Sequence, residues 1–245
     1  MARAERRRAS AVVALGPDMA DILRARGAAE VVEIPVWNEL VADEATRAAA
    51  RALRHARGWR DDEIVLLYSG NMGRAHGAEE FAALAETLGG RSPRCRFVFS
   101  GIGPVRAEWE RRWGGRFEFL PPASEEACAA HLLAADVHLV SQRAEWKGVV
   151  VPSKFQAACA LGRPTVFAGP PDSAVGRWLA AADAGWILPP GDAAAVAAAA
   201  AEIRDTRRRA DAGAAARRLA EREFARAGNC GRLAALVERI GEKRP

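Results

Sequence analysis

Three loops of this 245-residue chain carry residues that could do chemistry. The first is Ser69-Gly-Asn-Met-Gly-Arg-Ala-His-Gly77, between an apolar run and a helical one. Glycines at 70, 73 and 77 let the backbone approach a ligand and aim amides at it. Arg74 and His76 would add cationic donors, and the next helix a positive dipole end, which together suit a phosphate. The loop is neither a Walker A loop nor a full G-x-G-x-x-G, so a tight turn with an exposed arginine is the competing reading. The second, Ser100-Gly101-Ile102-Gly103-Pro104, has the same strand–Gly–x–Gly–helix character. A glycine pair used for packing accounts for it equally well.

The third loop is Glu145-Trp-Lys-Gly-Val-Val-Val-Pro-Ser-Lys154. Lysine and arginine total 36, yet the lysines are only Lys147, Lys154 and Lys243, and two of the three fall here. Lysine is a compact point charge where arginine is a planar fork. Pro152-Ser153-Lys154 opens a helix, with proline allowed in the first turn and serine as its cap. A helix start, a hydroxyl and a lysine suit an anion. The competing reading is a capped helix whose lysines are there by chance. Elsewhere Trp109 and Trp113 have core spacing on one helix, and His131 and His138 read as core histidines. Glu125 and Glu126 open a helix and complement its dipole. No Ser/His/Asp set and no metal-ligand spacing emerges.

These loops need a frame. Short apolar runs alternate with helical stretches from Ala11 onward. Strands are expected at 11–15, 31–34, 64–68, 96–99, 117–120, 136–140, 165–168 and 186–188. Helices are expected at 18–26, with Asp18 as N-cap, and at 43–57, 78–88, 105–113, 124–134, 153–161 and 173–182. Three more follow, at 192–209, 212–227 and 230–240. That alternation gives an α/β fold with a doubly wound parallel Rossmann-like sheet covered on both faces. Ligands of such sheets bind at the carboxyl ends of strands, where all three loops fall. The strand at Ile64 starts a complete domain of about six strands. The strand, helix and strand before it are too little to bury their own sheet.

Half of the residues are hydrophobic and 27% are charged, which fits a globular chain with a sizeable core and excludes a disordered one. The longest uncharged apolar run, 193–201, falls far short of the roughly 20 residues a bilayer needs. The apolar stretch at 11–15 runs straight into Gly16-Pro17-Asp18 and is too short for a signal peptide. Cysteines 95, 128, 159 and 230 form no C-x-x-C pair and read as reduced residues of a cytosolic protein. The net charge of +5 comes from arginine. The runs at 6–8 and 207–209 lack interleaved aromatics and read as solvated faces, with an anionic membrane surface next and nucleic acid last.

As an ordered set, the motifs resemble the nucleotide-sugar-binding C-terminal half of GT-B glycosyltransferases, in the large retaining family 4. The subgroup is the one that makes bacterial surface polysaccharides. Segments 68–76, 146–155, 160–169 and 184–192 carry the resemblance, and their order holds from about residue 11 to 205. It implies that the amides of Gly70, Asn71 and Gly73, with Arg74 and His76, face a diphosphate. It implies that Gly101 and Gly103 line the site and that the loop after Leu120 edges the base. Lys147, Gly148, Val149, Pro152, Ser153 and Lys154 would hold phosphate or ribose. Arg74 and Lys154 would stabilise the leaving group.

No cofactor and no metal are implied; the nucleoside diphosphate sugar is the substrate. The reaction implied is sugar transfer with retention to a lipid-linked or saccharide acceptor. Residues 1–38 would be the remnant of an acceptor domain and an inter-domain turn, and 39–245 the nucleotide-sugar domain. Either a partner chain would supply the acceptor domain or the sequence is a piece of a longer or split gene product, and the protein would be cytoplasmic or peripheral on the inner membrane face. The wider family has two glutamates in the third loop, where this chain has Val149 and Ala157. That departure, with the missing half of the cleft, motivates an alternative, a non-catalytic nucleotide-sugar-binding or regulatory module. A third reading is a sugar-nucleotide epimerase on the related two-domain fold, whose catalytic carboxylates and histidine find no place in the sequence.

Overall fold

The computed structural model describes residues 9–90 and 92–242. The arginines at 6–8 and Lys243 lie outside them. The chain runs β1 (Val12–Ala14), α1 (Pro17–Ala25), β2 (Val31–Glu33), α2 (Glu44–Ala56), β3 (Ile64–Ser69), α3 (Glu79–Leu88), β4 (Cys95–Ser100) and α4 (Arg106–Trp113). It continues with β5 (Glu118–Leu120), α5 (Cys128–Leu133), β6 (Val137–Ser141), α6 (Lys154–Ala160), β7 (Thr165–Ala168) and α7 (Ala174–Ala182). Last come β8 (Gly185–Leu188), α8 (Ala193–Arg204), α9 (Thr206–Glu223) and α10 (Arg226–Glu242).

Strands β3 to β8 form one parallel sheet in the order β5-β4-β3-β6-β7-β8. Their near-continuous apolar sequences follow from burial on both faces. In β3, Ile64, Leu66 and Tyr68 pack on one side with Phe81, Phe99, Trp109 and Ile203. Val65 and Leu67 pack on the other with Trp59, Val98 and Leu132. The period of two sends alternate residues to opposite faces. From β3 the chain winds outward to β4 and β5, then returns to place β6 on the other side of β3. The carboxyl ends of β3 and β6 are therefore the topological switch point, where a crevice opens in such sheets.

Strands β1 and β2 form a separate two-stranded parallel sheet. Asp18 holds this unit to the main sheet. Its carboxylate accepts from the Met19 amide and from the Gly148 amide, both at 2.9 Å. Helix α10 runs back along the same unit: Asn229 Nδ2 donates to the Pro35 carbonyl at 3.0 Å, Arg226 pairs with Glu39, and Arg239 with Glu30.

Five local expectations are corrected. Asp18 is not an N-cap, because α1 begins at Pro17 after Gly16 and the carboxylate reaches across to Gly148 instead. Ser153 makes no side-chain cap, since its backbone is already helical. Glu125 and Glu126 lie before α5, which begins only at Cys128. The break between the late helices falls at Asp205, whose carboxylate accepts from the Arg207 and Arg208 amides and starts α9. The arginines after it are not simply solvated: Arg208 pairs with Asp183 and Glu202 and lies over the Trp186 ring.

Candidate functional site

Lys154 opens α6, and its ammonium lies at the switch point. Burial pushes it down to about 8. No carboxylate lies within ion-pair distance of it among the described residues. Its surroundings are Tyr68, whose ring centroid is 4.9 Å from Nζ, and His76, whose Nε2 is 3.5 Å away. Gly70 lies against its aliphatic stem; a Cβ there would be 3.2 Å from Lys154 Cε.

His76 is buried, and its Nδ1 stands 2.6 Å from the Ser141 carbonyl. A carbonyl only accepts, so Nδ1 carries the proton and the Nε2 lone pair faces the ammonium. Burial first, and Lys154 second, push His76 down to about 4. The expected cationic His76 is therefore corrected. It is a neutral imidazole that turns its lone pair to the lysine.

The two glycine loops lie on one another. Gly70 and Gly101 both have positive φ, and a Cβ on Gly101 would fall 2.0 Å from the Gly70 carbonyl oxygen. A Cβ on Gly103 would fall 2.4 Å from the Met72 carbonyl oxygen. The Gly70 amide donates to the Ser100 carbonyl at 2.9 Å, so it cannot also face a ligand. The Gly101 amide is likewise committed to the Leu120 carbonyl at 3.2 Å, which also accepts from Arg106. Gly101 and Gly103 thus serve close packing. The amides of Asn71 and Gly73 meet no protein acceptor among the described residues, and Arg74 is exposed without an ion pair.

The third loop divides. Lys147 pairs with Asp172 and is not a free cation. Gly148 turns left-handed at φ +71°, gives its amide to Asp18, and faces α1, where a Cβ would strike Ile22 Cδ1 at 2.1 Å. Both residues therefore hold structure together instead of pointing an amide or ammonium at a ligand. Val149 is exposed, Pro152 is buried, and Ser153 is exposed beside Lys154.

The sequence of this sheet matches a family model. Residues 63–205, more than half of the chain, match glycosyl transferases group 1. The chain belongs to that family. Among curated relatives, it is 31% identical over 140 residues to a protein of Escherichia coli (strain K12) named for colanic acid biosynthesis, the glycosyl transferase WcaI; the match covers 55% of this chain and 34% of the relative. It is 30% identical over 113 residues to the alpha-D-kanosaminyltransferase of Streptomyces kanamyceticus, covering 45% of this chain and 29% of the relative. This group 1 chain thus spans about a third of the length of those relatives.

Among solved structures, sucrose-phosphate synthase from Thermosynechococcus elongatus superposes with a TM-score of 0.76 at 20% identity, over 98% of this chain and 60% of that one. HepE of Anabaena in complex with UDP-glucose gives a TM-score of 0.71 at 17% identity, over 96% of this chain and 65% of that one. The fold is that of GT-B glycosyltransferases.

Chemically, the group 1 chain presents a half-buried ammonium beside the first glycine loop, and that loop carries an exposed arginine and two amides with no protein acceptor among the described residues, groups that attract an oxyanion. Residue-type reasoning missed three contributors. Tyr68 supports the lysine and donates from its hydroxyl to the Asn71 carbonyl at 2.9 Å. Ser141 fixes the His76 tautomer, and Asp18 anchors the third loop. Tyr68 had one available signal, as the only tyrosine in the chain. No helix among the described residues is long and apolar enough to cross a membrane.

Proposed function

We propose that this chain is the donor-binding part of a retaining glycosyltransferase. It would take a nucleoside diphosphate sugar and pass the sugar to a saccharide or lipid-linked acceptor in cell-surface polysaccharide synthesis. The observation that carries the reading is Lys154, a half-buried ammonium at the switch point with no carboxylate within ion-pair distance among the described residues. A charge partly withdrawn from water with no counter-charge is costly, and a diphosphate would neutralise it. As the glycosidic bond breaks, negative charge gathers on the diphosphate. Fixed cations at Lys154 and Arg74 would stabilise that charge more in the transition state than in the bound substrate. The reading assigns this to side chains and needs no metal ion. The acceptor side is assigned to polypeptide outside the described residues, either more of the same polypeptide or a partner chain.

Calorimetry with UDP, GDP and their sugars tests the reading. Lys154→Ala and Arg74→Ala should each weaken nucleotide binding by about 1–3 kcal/mol, the range of a hydrogen bond to a charged group. Unchanged affinity in both variants would remove the assignment. A non-catalytic nucleotide-sugar module is the second reading, favoured by Val149 and Ala157 at the two positions where the wider family has glutamates. It predicts the same binding but no sugar transfer when acceptor-side polypeptide is added. Transfer in that mixture decides for the enzyme.

A further inference from the structure

At the opposite end of the sheet, where β6 and β7 begin, four arginines line one cavity of about 280 Å³. Arg47, Arg51 and Arg54 come from α2, and Arg163 from the turn between α6 and β7. Two of the four charges are matched. Arg51 pairs with Glu44 and Arg54 with Asp136, each at 3.0 Å. Arg47 and Arg163 make no salt bridge among the described residues; Asp43 acts on Arg47, and Asp136 on Arg163, only at longer range. One Arg163 nitrogen donates to the Leu133 carbonyl at 2.6 Å, while its Nε is buried and unbonded. Burial holds Arg163 below the ordinary guanidinium range; Asp136 opposes this, and the charges of Arg54 and Arg47 add to it.

We propose that this cavity binds a phosphate-type oxyanion between Arg47 and Arg163, at the end of the sheet remote from Lys154. The half-buried Arg54 and Arg163 and the exposed Arg47 and Arg51 converge on this cavity; like charges repel one another, and a bound oxyanion turns the repulsion into attraction. The guanidinium fork matches a phosphate bidentately, which a point charge cannot do. The apolar neighbours Leu133, Ala134 and Leu161 reduce solvent screening in the cavity. Strand β6 separates this end from the donor crevice by about 16 Å, at roughly 3.3 Å per residue over its length. The proposal does not depend on the donor reading.

The test is a titration of the full, isotope-labelled chain with inorganic phosphate at constant ionic strength, following backbone amide shifts. The Ala134 and Gly162 amides should shift saturably in the wild type and equally in Lys154→Ala, which disables the other anion site. Arg47→Ala should weaken the response by roughly tenfold, as expected for one charge-assisted contact. Arg163→Met should abolish it. If Arg163→Met fails to fold, Arg47→Ala still decides, because Arg47 is exposed on α2. No saturable shift at those amides, or shifts indifferent to Arg47→Ala, would overturn the proposal. Sedimentation with phosphatidylglycerol or phosphatidylcholine vesicles then separates the sources. Binding to the anionic vesicles that Arg47→Ala removes marks a lipid phosphate, and saturable shifts without vesicle binding mark a soluble phosphate ester. Both support the site.

Discussion

Lys154 has a solvated ammonium's charge without a solvated ammonium's surroundings. Burial moves its titration to about 8, within reach of ordinary buffers. A diphosphate placed beside it would favour the charged form and lift it back toward the usual lysine range. Above pH about 8 the free protein therefore lacks a proton that the complex holds. Nucleotide binding at pH 9 should take up a proton, and affinity should fall as pH rises past 8. Calorimetry in buffers of different ionisation heats measures the uptake directly; binding without it would show that Lys154 does not meet the phosphate. Little of this was legible in the sequence. The scarcity of lysine singled out Lys154, but the group that sets its environment, His76, is fixed by a carbonyl 65 residues away. Residue types in one loop cannot report a partner that only the sheet brings near.

At the scale of elements, the proposed donor site at the switch point depends on a seam between two loops. Gly101 lies on the Gly70 carbonyl at a separation that admits no side chain. Gly101→Ala would put a Cβ 2.0 Å from that oxygen, on a residue whose φ is +146°. Backbone must then move, so both stability and nucleotide affinity should drop. We expect a cost of about 1–3 kcal/mol from overpacking and the same sign from the φ strain. Thermal unfolding and nucleotide titration of the variant check this, and a fully stable, fully binding Gly101→Ala would refute the seam. The elements themselves were readable in advance, because strands buried on both faces leave unbroken apolar runs such as 64–68. Their ends were less so. Asp205 starts α9 with a capping carboxylate, but it stands in a helix-forming stretch where nothing but that side chain marks the boundary.

The whole molecule carries three buried histidines, His76, His131 and His138, each pushed down to about 4 chiefly by burial. In the unfolded chain they titrate near 6.5. Between those values the unfolded chain binds protons that the folded chain refuses. Their contribution to stability is therefore complete above pH 6.5 and is lost as pH falls toward 4. Urea unfolding midpoints should decline steadily from pH 6.5 to 4.5. A flat profile over that range would contradict the buried, neutral assignment. The parallel sheet and its switch point follow from sequence pattern. The attachment of β1, α1 and β2 does not, because the Asp18 to Gly148 bond spans 130 residues. A glycine read as a ligand contact is instead the joint between that small sheet and the main one.

The ammonium over Tyr68 has one more consequence on the donor reading. What it recognises is the diphosphate, which the sugar-loaded donor and the spent nucleotide share. A contact that eases the departure of that group also retains it once it has left. Turnover would then be governed by clearance of nucleoside diphosphate from the crevice, with the product itself the strongest competitor of incoming donor.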